Sequence, residues 1–186
     1  MDNVLGEKDI CSRCGKCCRL LPSGKSYAEL CSLAEKGDKT ASNFLKLFLP
    51  HKSIDDALLI DENYVKQTAA LNKKKFGNDY ETYFYYCRYL NDDNTCKVYD
   101  MRPKLCKNYP KNAFTVIPED CAYEGYLFEA RENIKKYVRK TKEELMEISI
   151  LKKDCNTPNE LRKYENLEKK YIMLIDKYRA YGSEDW

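Results

Sequence analysis

The sequence predicts a mainly α-helical protein, in which a small irregular metal-centred domain with a short β-hairpin precedes a C-terminal antiparallel helical hairpin. Three observations predict this class. Helix caps and helix stops recur over residues 26–77. An aromatic-rich stretch next to a polar turn over residues 80–99 is typical of a hairpin. From Leu127 onward, apolar or small residues recur at helical spacing. The predicted domains are a cysteine-cluster metal-binding domain over residues 1–124 and a helical hairpin over residues 125–186 that packs on it.

Two helices are predicted in the first part of the chain. The first is capped by Ser26, has a capping-box glutamate three residues later, and ends at Gly37. The second opens at Thr40 or Ser42 and is closed by Pro50.

A third helix and a hairpin follow. Asp61 caps the helix and Gly77 ends it. Lysines 73–75 fall in its last turn, where their positive charges interact favourably with the helix dipole, and this interpretation is preferred over a phosphate-binding site. The predicted hairpin pairs residues 80–90 with residues 95–99 around a turn of asparagine and aspartate.

The last elements are helical. Asp100 is predicted to cap a short helix over residues 102–107. A long amphipathic helix runs from Leu127 to a break near residue 154, and Thr157 caps a second helix with Pro158 at its first position. The short connection predicts that these two helices are antiparallel.

Composition limits the class of protein. The chain has 186 residues, of which 43% are hydrophobic and 34% charged, so it can form a packed core. A net charge of +3 is too small to predict binding to nucleic acid. The start of the chain lacks the basic and apolar regions of a signal peptide, and no apolar run approaches the roughly 18 residues of a membrane span. We therefore expect a cytoplasmic protein with no membrane or nucleic-acid partner.

The strongest chemical signal is four cysteines within eight residues: Cys11, Cys14, Cys17 and Cys18. The backbone must curl tightly to bring them together, and Gly15 permits this. Thiolates bind zinc in tetrahedral sites of four, and they also hold iron–sulfur clusters. Adjacent side chains of an extended backbone point apart. Cys17 and Cys18 therefore serve two different metals, or only one of them is a ligand.

A second group of cysteines supplies further candidate ligands: Cys87, Cys96, Cys106 and Cys121. The eight together suffice for two four-thiolate zinc sites, or for one iron–sulfur cluster and one zinc ion. Basic residues surround them and would offset the negative charge of such sites. We predict that Arg102, with Tyr99, lies beside the ligands, where its guanidinium donates to sulfur or to a carboxylate.

Other candidates are weaker. Cys31 lies in a helical apolar pattern and is predicted to be core, and Cys155 lies in the interhelical turn and is predicted to be a free thiol. His51, the one histidine, follows a helix-ending proline and is predicted to have a loop role. No spacing predicts a paired-carboxylate catalyst, and no βαβ pattern predicts a thioredoxin-like site. No catalytic residue is therefore assigned, and enzymatic activity is left open.

The cysteine pattern resembles the YkgJ-type cysteine-cluster family. The matching segments are Cys11-x2-Cys14-Gly15-x-Cys17-Cys18, then Cys87-Arg-Tyr-Leu90, then Cys96-x2-Tyr99-x2-Arg102-Pro103-x2-Cys106-x2-Tyr109-Pro110, and finally Cys121. The resemblance covers residues 10–121 and implies that the chain chelates zinc or iron. The pattern is also similar to that of flagellin lysine N-methylases, which are much longer, and no glycine-rich methyl-donor loop is found here.

Two functional hypotheses follow. In the first, the protein binds zinc or an iron–sulfur cluster chiefly as a structural centre, and its exposed faces bind a protein partner. In the second, it is an iron–sulfur redox protein or enzyme component. Eight cysteines filling two closed sites favour structure or electron transfer over hydrolysis, because a hydrolytic zinc site keeps one position open for water.

Overall fold

The computed structural model describes residues 10–110 and 112–179 and is mostly helical with a small antiparallel sheet, as predicted. The absence of a signal peptide, which was inferred from residues 1–9, lies outside the described residues. The chain divides into two compact units, one up to Gly125 and one from Tyr126. Across the described ranges, no helix has the length and apolar character needed to cross a membrane.

The first unit contains three strands and most of the helices among the described residues. Its strands are β1 (Leu21–Ser23), β2 (Phe48–Pro50) and β3 (Tyr83–Cys87). Its helices are α1 (Lys16–Arg19), α2 (Tyr27–Glu35), α3 (Lys39–Leu47), α4 (Ile54–Leu58), α5 (Glu62–Phe76) and α6 (Lys104–Lys107). The long helices α7 (Glu124–Leu151) and α8 (Pro158–Arg179) follow.

Helices α2 and α5 begin where their caps predict. The Ser26 hydroxyl accepts from Glu29 N at 3.3 Å, and the Glu29 carboxylate accepts from Ser26 N at 2.7 Å, which completes the capping box. Asp61 caps α5 by accepting from Tyr64 N at 2.9 Å, and Gly77 follows its last residue.

Two predicted caps are wrong. Helix α3 is capped by Asp38 rather than by Thr40 or Ser42, because the Asp38 carboxylate accepts from the N–H groups of Thr40 and Ala41 at 2.7 and 3.0 Å. Helix α6 follows Pro103 and has no side-chain cap, so Asp100 does not play the predicted role.

The sheet differs from a simple hairpin. Strand β3 lies between β1 and β2 and pairs antiparallel with both, with Phe48 opposite Cys87. The predicted turn is present, but beyond it the two segments share one isolated bridge, between Leu90 and Cys96. The alternation of side chains within residues 80–99 does not indicate that β3 pairs with β1 and β2, which lie far away in the sequence. Pro22 and Pro50 fit the two edge strands, where a missing N–H costs little.

The core of the first unit lies on both faces of β3, since neighbouring strand residues point in opposite directions. Phe84 belongs to one buried cluster, with Leu20, Ala57, Tyr64 and Val65. Tyr85 belongs to the other, with Leu30, Ala41 and Phe48. The sheet thereby fixes the end of β3, which carries Cys87.

The second unit contains α7 and α8, and the predicted Thr157 cap is confirmed by its bond from Glu160 N at 3.3 Å. Glu144 hydrogen-bonds Tyr171, and Lys152 donates to Glu168. The later residue of α7, Lys152, thus contacts the earlier residue of α8, Glu168. Contacts in this order are those that two antiparallel helices make. Packing of this hairpin on the first unit stays a prediction.

Candidate metal centre

Helix α1 carries the two adjacent cysteines, Cys17 and Cys18. It is preceded by Gly15, whose φ of 73° lies in the left-handed region. A Cβ on Gly15 would lie 2.8 Å from the Asn94 Cβ, so the close approach of the Asn94 turn also requires glycine. The sequence-based role of Gly15 in the tight cysteine loop agrees with this geometry.

The start of α1 is tied to the turn that carries Cys121. Lys16 Nζ donates to the Glu119 carbonyl at 2.6 Å and lies 3.5 Å from Asp120 Oδ2. Cys121 is 9% exposed, and its N–H donates to the Pro118 carbonyl at 3.3 Å. These contacts join segments about a hundred residues apart in the chain.

The end of α1 is tied to the turn between Cys87 and Cys96. Arg19 donates to Asn94 Oδ1 from Nε at 2.9 Å and from Nη2 at 2.7 Å. The Arg19 carbonyl also lies 2.7 Å from Nε2 of His51, so the histidine supports the backbone at this point, in keeping with its predicted loop role.

Cys87 and Cys106 lie on the same core. Both pack against the buried cluster that contains Phe48 and Tyr85. Cys87 ends β3, and Cys106 lies on α6, where its N–H donates to the Pro103 carbonyl at 2.9 Å. The sheet and α6 therefore hold these two half-buried thiols near each other.

Cys17 and Cys18 interact directly. The Cys17 thiol donates a hydrogen bond to Cys18, which raises the pKa of Cys17, and burial raises it further. The same bond lowers the pKa of Cys18, and the positive charge of Arg102 acts in the same direction. Cys18 is thus the stronger candidate for a thiolate of the two.

Burial governs the other cysteines whose pKa shifts. It raises the pKa of Cys106 to about 11 and also raises the pKa of Cys87 and Cys121. The charges of Cys18 and Cys96 add to the effect at both Cys87 and Cys106. Those of Cys14 and Cys11 add to it at Cys121. Each of the eight cysteines predicted as ligands therefore lies close enough to at least one other of them for their charges to interact.

Arg102 and Tyr99 lie beside this cysteine-rich region. The guanidinium carbons of Arg13 and Arg102 lie 3.7 and 3.8 Å from the centroid of the Tyr99 ring. Two such groups at this distance must lie on opposite faces of the ring, because on one face they would overlap. Arg102 Nε also donates to the Tyr99 carbonyl at 3.0 Å, which holds its positive charge near Cys18.

Sequence reasoning missed a group of buried hydroxyls. Tyr64, Thr68 and Tyr109 lie next to one another, and burial raises the pKa of both tyrosines, so they remain neutral donors. Thr68 Oγ1 and Tyr109 Oη have no well-formed hydrogen-bond partner among the described residues. The charges of Cys17 and Cys121 act on Tyr109. The spacing of Tyr64 and Thr68, four apart on α5, was the available signal, since it places both on one face.

The two cysteines that were not predicted as ligands lie on other elements. Cys31 is half-buried on α2. Cys155 follows α7 in the second unit, where its Sγ lies 3.3 Å from the Leu151 carbonyl.

The chemistry of the donor set fits zinc or iron. Buried thiols lose their protons at a cost, and a bound cation offsets that cost. The positive charge of the Arg102 guanidinium lies near Cys18 and can offset the negative charge of thiolates. Within the described part of the chain, no three cysteine, histidine or acidic side chains are already arranged to hold a metal ion.

Comparison with known proteins agrees with the cysteine pattern. A family model named CxxCxxCC, described as a "putative zinc- or iron-chelating domain", matches residues 10–122. The matched stretch contains all eight of the cysteines above. No curated protein and no solved structure gives a significant match to the chain.

Proposed function

The chain belongs to the CxxCxxCC family of zinc- or iron-chelating domains, and from this premise we propose that it is a thiolate-ligated metal protein whose metal is chiefly structural. The proposed ligands are the eight cysteines of the two predicted groups: Cys11, Cys14, Cys17, Cys18, Cys87, Cys96, Cys106 and Cys121. Arg102 and Tyr99 are proposed to support them from beside the site.

The observation that carries the proposal is the meeting of distant segments at α1. Lys16 joins α1 to the Glu119–Cys121 turn, and Arg19 joins it to the Asn94 turn. Each of these segments carries a cysteine of the matched family pattern. Such a meeting is expected of a domain whose loops are held by a shared metal centre.

A structural role is supported by how little regular structure links these segments. Helices α1 and α6 have four residues each, and Cys11, Cys14, Cys96 and Cys121 lie outside helices and strands. Short elements of this kind contribute little folding energy alone. Metal ligation would supply much of what holds them together, as in other small metal-dependent domains.

The identity of the metal is a finer proposal. Zinc and an iron–sulfur cluster both use thiolates, so the same ligands serve either. The chain has one histidine, His51, and its Nε2 already bonds the Arg19 carbonyl. A site with cysteine ligands alone is therefore favoured over a mixed cysteine–histidine site. A protein partner for the exposed surface stays a prediction.

The test is metal analysis of protein purified without oxygen, together with its visible spectrum. We expect bound zinc or iron in the wild type, much less in Cys14→Ser, and an unchanged amount in the matched control Cys155→Ser. A visible absorption that bleaches on reduction identifies an iron–sulfur cluster, and colourless protein with zinc identifies the structural ion. Equal metal in Cys14→Ser and Cys155→Ser refutes the proposed ligands.

A further inference from the structure

We propose that the chain holds two separate four-thiolate metal centres, and that the adjacent Cys17 and Cys18 belong to different ones. This inference rests on the proposed function and assigns the ligands within it. The first centre takes Cys11, Cys14, Cys17 and Cys121. The second centre takes Cys18, Cys87, Cys96 and Cys106.

The helical geometry of α1 separates the adjacent cysteines. Successive residues of an α-helix project about 100° apart around its axis. Cys17 and Cys18 therefore point in different directions from α1, although their thiols still touch. One tetrahedral ion that took both neighbours and two more thiols would need them to converge on a single point.

Two side chains of α1 contact two different turns of the chain. At its first residue, Lys16 bonds the Glu119 carbonyl and approaches Asp120, so the turn ending in Cys121 lies at this end. At its last residue, Arg19 bonds Asn94, two residues before Cys96. The turn that ends in Cys121 therefore contacts the first residue of α1, whereas Asn94 lies along the helix, bonding Arg19 at its end and approaching Gly15 before its start.

The sheet completes the second group. Helix α1 packs against β3, which ends in Cys87. The Leu90–Cys96 bridge brings Cys96 back beside the end of β3. Cys106 shares with Cys87 the core around Phe48 and Tyr85. Three segments that carry these thiols therefore meet near the end of β3, and Cys18 is close enough for its charge to act on Cys87 and Cys106.

The cysteines whose charges act on one another fall into the same two groups. The charges of Cys18 and Cys96 act on both Cys87 and Cys106. In the other group, the charges of Cys11 and Cys14 act on both Cys17 and Cys121. The contact between Cys17 and Cys18 is the link between the two groups.

The polar side chains beside the cysteines, Arg102 and Tyr109, also lie near different groups. Arg102 lies near Cys18 and Cys106, so its positive charge serves the second centre. Tyr109 lies near Cys17 and Cys121, so its buried hydroxyl is beside the first group of cysteines. Each group of cysteines thus has its own polar neighbour outside the ligand set.

The test counts zinc ions per chain by native mass spectrometry. The protein is loaded with Zn²⁺ alone under reducing conditions and held with a competing chelator that the wild type withstands. We expect two ions in the wild type and in Cys155→Ala. Cys17→Ala and Cys121→Ala should each keep one ion, and the double variant of the two should also keep one. The double variant of Cys17→Ala with Cys18→Ala should keep none.

Three results overturn the assignment. One is a wild type that binds a single ion. Another is loss of both ions in the Cys17→Ala, Cys121→Ala double variant while Cys17→Ala keeps one. The third is one ion retained in the Cys17→Ala, Cys18→Ala double variant. In each of these cases zinc still binds, so the proposed function stands while the two-centre assignment fails. A wild type that binds no zinc and no iron refutes the proposed function itself.

A second measurement uses the wild type and so does not depend on the folding of variants. Protein given one equivalent of Zn²⁺ is alkylated at its free thiols, and chains that retain one ion are fragmented to locate the protected cysteines. We expect each such chain to protect one of the two sets of four. Protection of Cys17 and Cys18 together in chains with one ion contradicts the proposal.

Discussion

Arg19 donates two hydrogen bonds to the side-chain oxygen of Asn94, across 75 residues of sequence. The bond fixes the turn before Cys96 against the helix that carries Cys17 and Cys18. The same Asn94 side chain lies close to Gly15, the residue that precedes this helix. One asparagine therefore contacts both the residue before α1 and the last residue of α1.

Replacing Asn94 should destabilise the first unit. Asn94→Ala removes the acceptor of two bonds from a partly buried guanidinium, and bonds to charged groups contribute about 1.5–3 kcal/mol. We expect a loss in that range in the free energy of unfolding, measured by urea denaturation. Asn78→Ala, at an exposed asparagine, is the control and should cost little. Equal stability of the two variants contradicts a role for the Arg19–Asn94 contact.

Gly15→Ala should cost more than a glycine replacement elsewhere. Gly15 and Gly37 both have positive φ, which costs a residue with a Cβ about 1–3 kcal/mol. A Cβ at Gly37 meets no atom within 4 Å, whereas at Gly15 it meets Asn94 at 2.8 Å. We expect Gly15→Ala to lower the melting temperature further than Gly37→Ala. If the two shifts are the same, Asn94 is free to move away, and the proposed close approach is not required.

Arg102→Ala should weaken metal retention. The guanidinium is held by the Tyr99 ring and carbonyl, and its charge acts on Cys18 and Cys106. Loss of such a supporting contact commonly lowers metal affinity by about ten- to a hundredfold. Competition with a chromogenic chelator measures this, and the exposed Lys104→Ala is the matched control. Retention by Arg102→Ala equal to that of Lys104→Ala removes the special role of Arg102.

Ile148→Ala should destabilise the second unit, and Ile150→Ala should not. Both residues lie on α7, but Ile148 is 5% exposed and Ile150 is 59% exposed. Truncation of a buried isoleucine costs about 2–5 kcal/mol, because it loses apolar contacts and leaves a cavity. Loss of helical circular dichroism on heating measures the difference. Similar melting of the two variants would show that this face of α7 is not buried in solution.

Much of the helical structure could be predicted because its signals are local. Ser26 and Asp61 bond N–H groups within three residues, so the sequence contains both partners of each cap. The choice among neighbouring caps was harder, since Asp38, Thr40 and Ser42 are all suitable residue types, and Asp38 forms the bonds. The sheet could not be predicted, because the partners of β3 lie some forty and sixty residues away and the pairing depends on packing.

The candidate site was predictable in its composition and not in its arrangement. The spacing of Cys11, Cys14, Cys17 and Cys18 predicted candidate ligands, and the family match covers all four. The adjacency of the last two raised the alternative of two metals, but the proposed division of the remaining cysteines depends on contacts between distant segments, which local spacing does not contain. The buried hydroxyls of Thr68 and Tyr109 could not be recognised from the sequence as clearly as the cysteines, because threonine and tyrosine are common in ordinary cores.

The melting temperature of the protein with and without its metal tests the central claim most directly. Protein purified without oxygen is divided, and one half is stripped with a chelator under reducing conditions. If thiolate ligation holds the first unit together, the stripped half should melt at a sharply lower temperature, and returning Zn²⁺ or iron should restore the original transition. Identical melting curves for stripped and loaded protein would contradict the claim that the metal is structural.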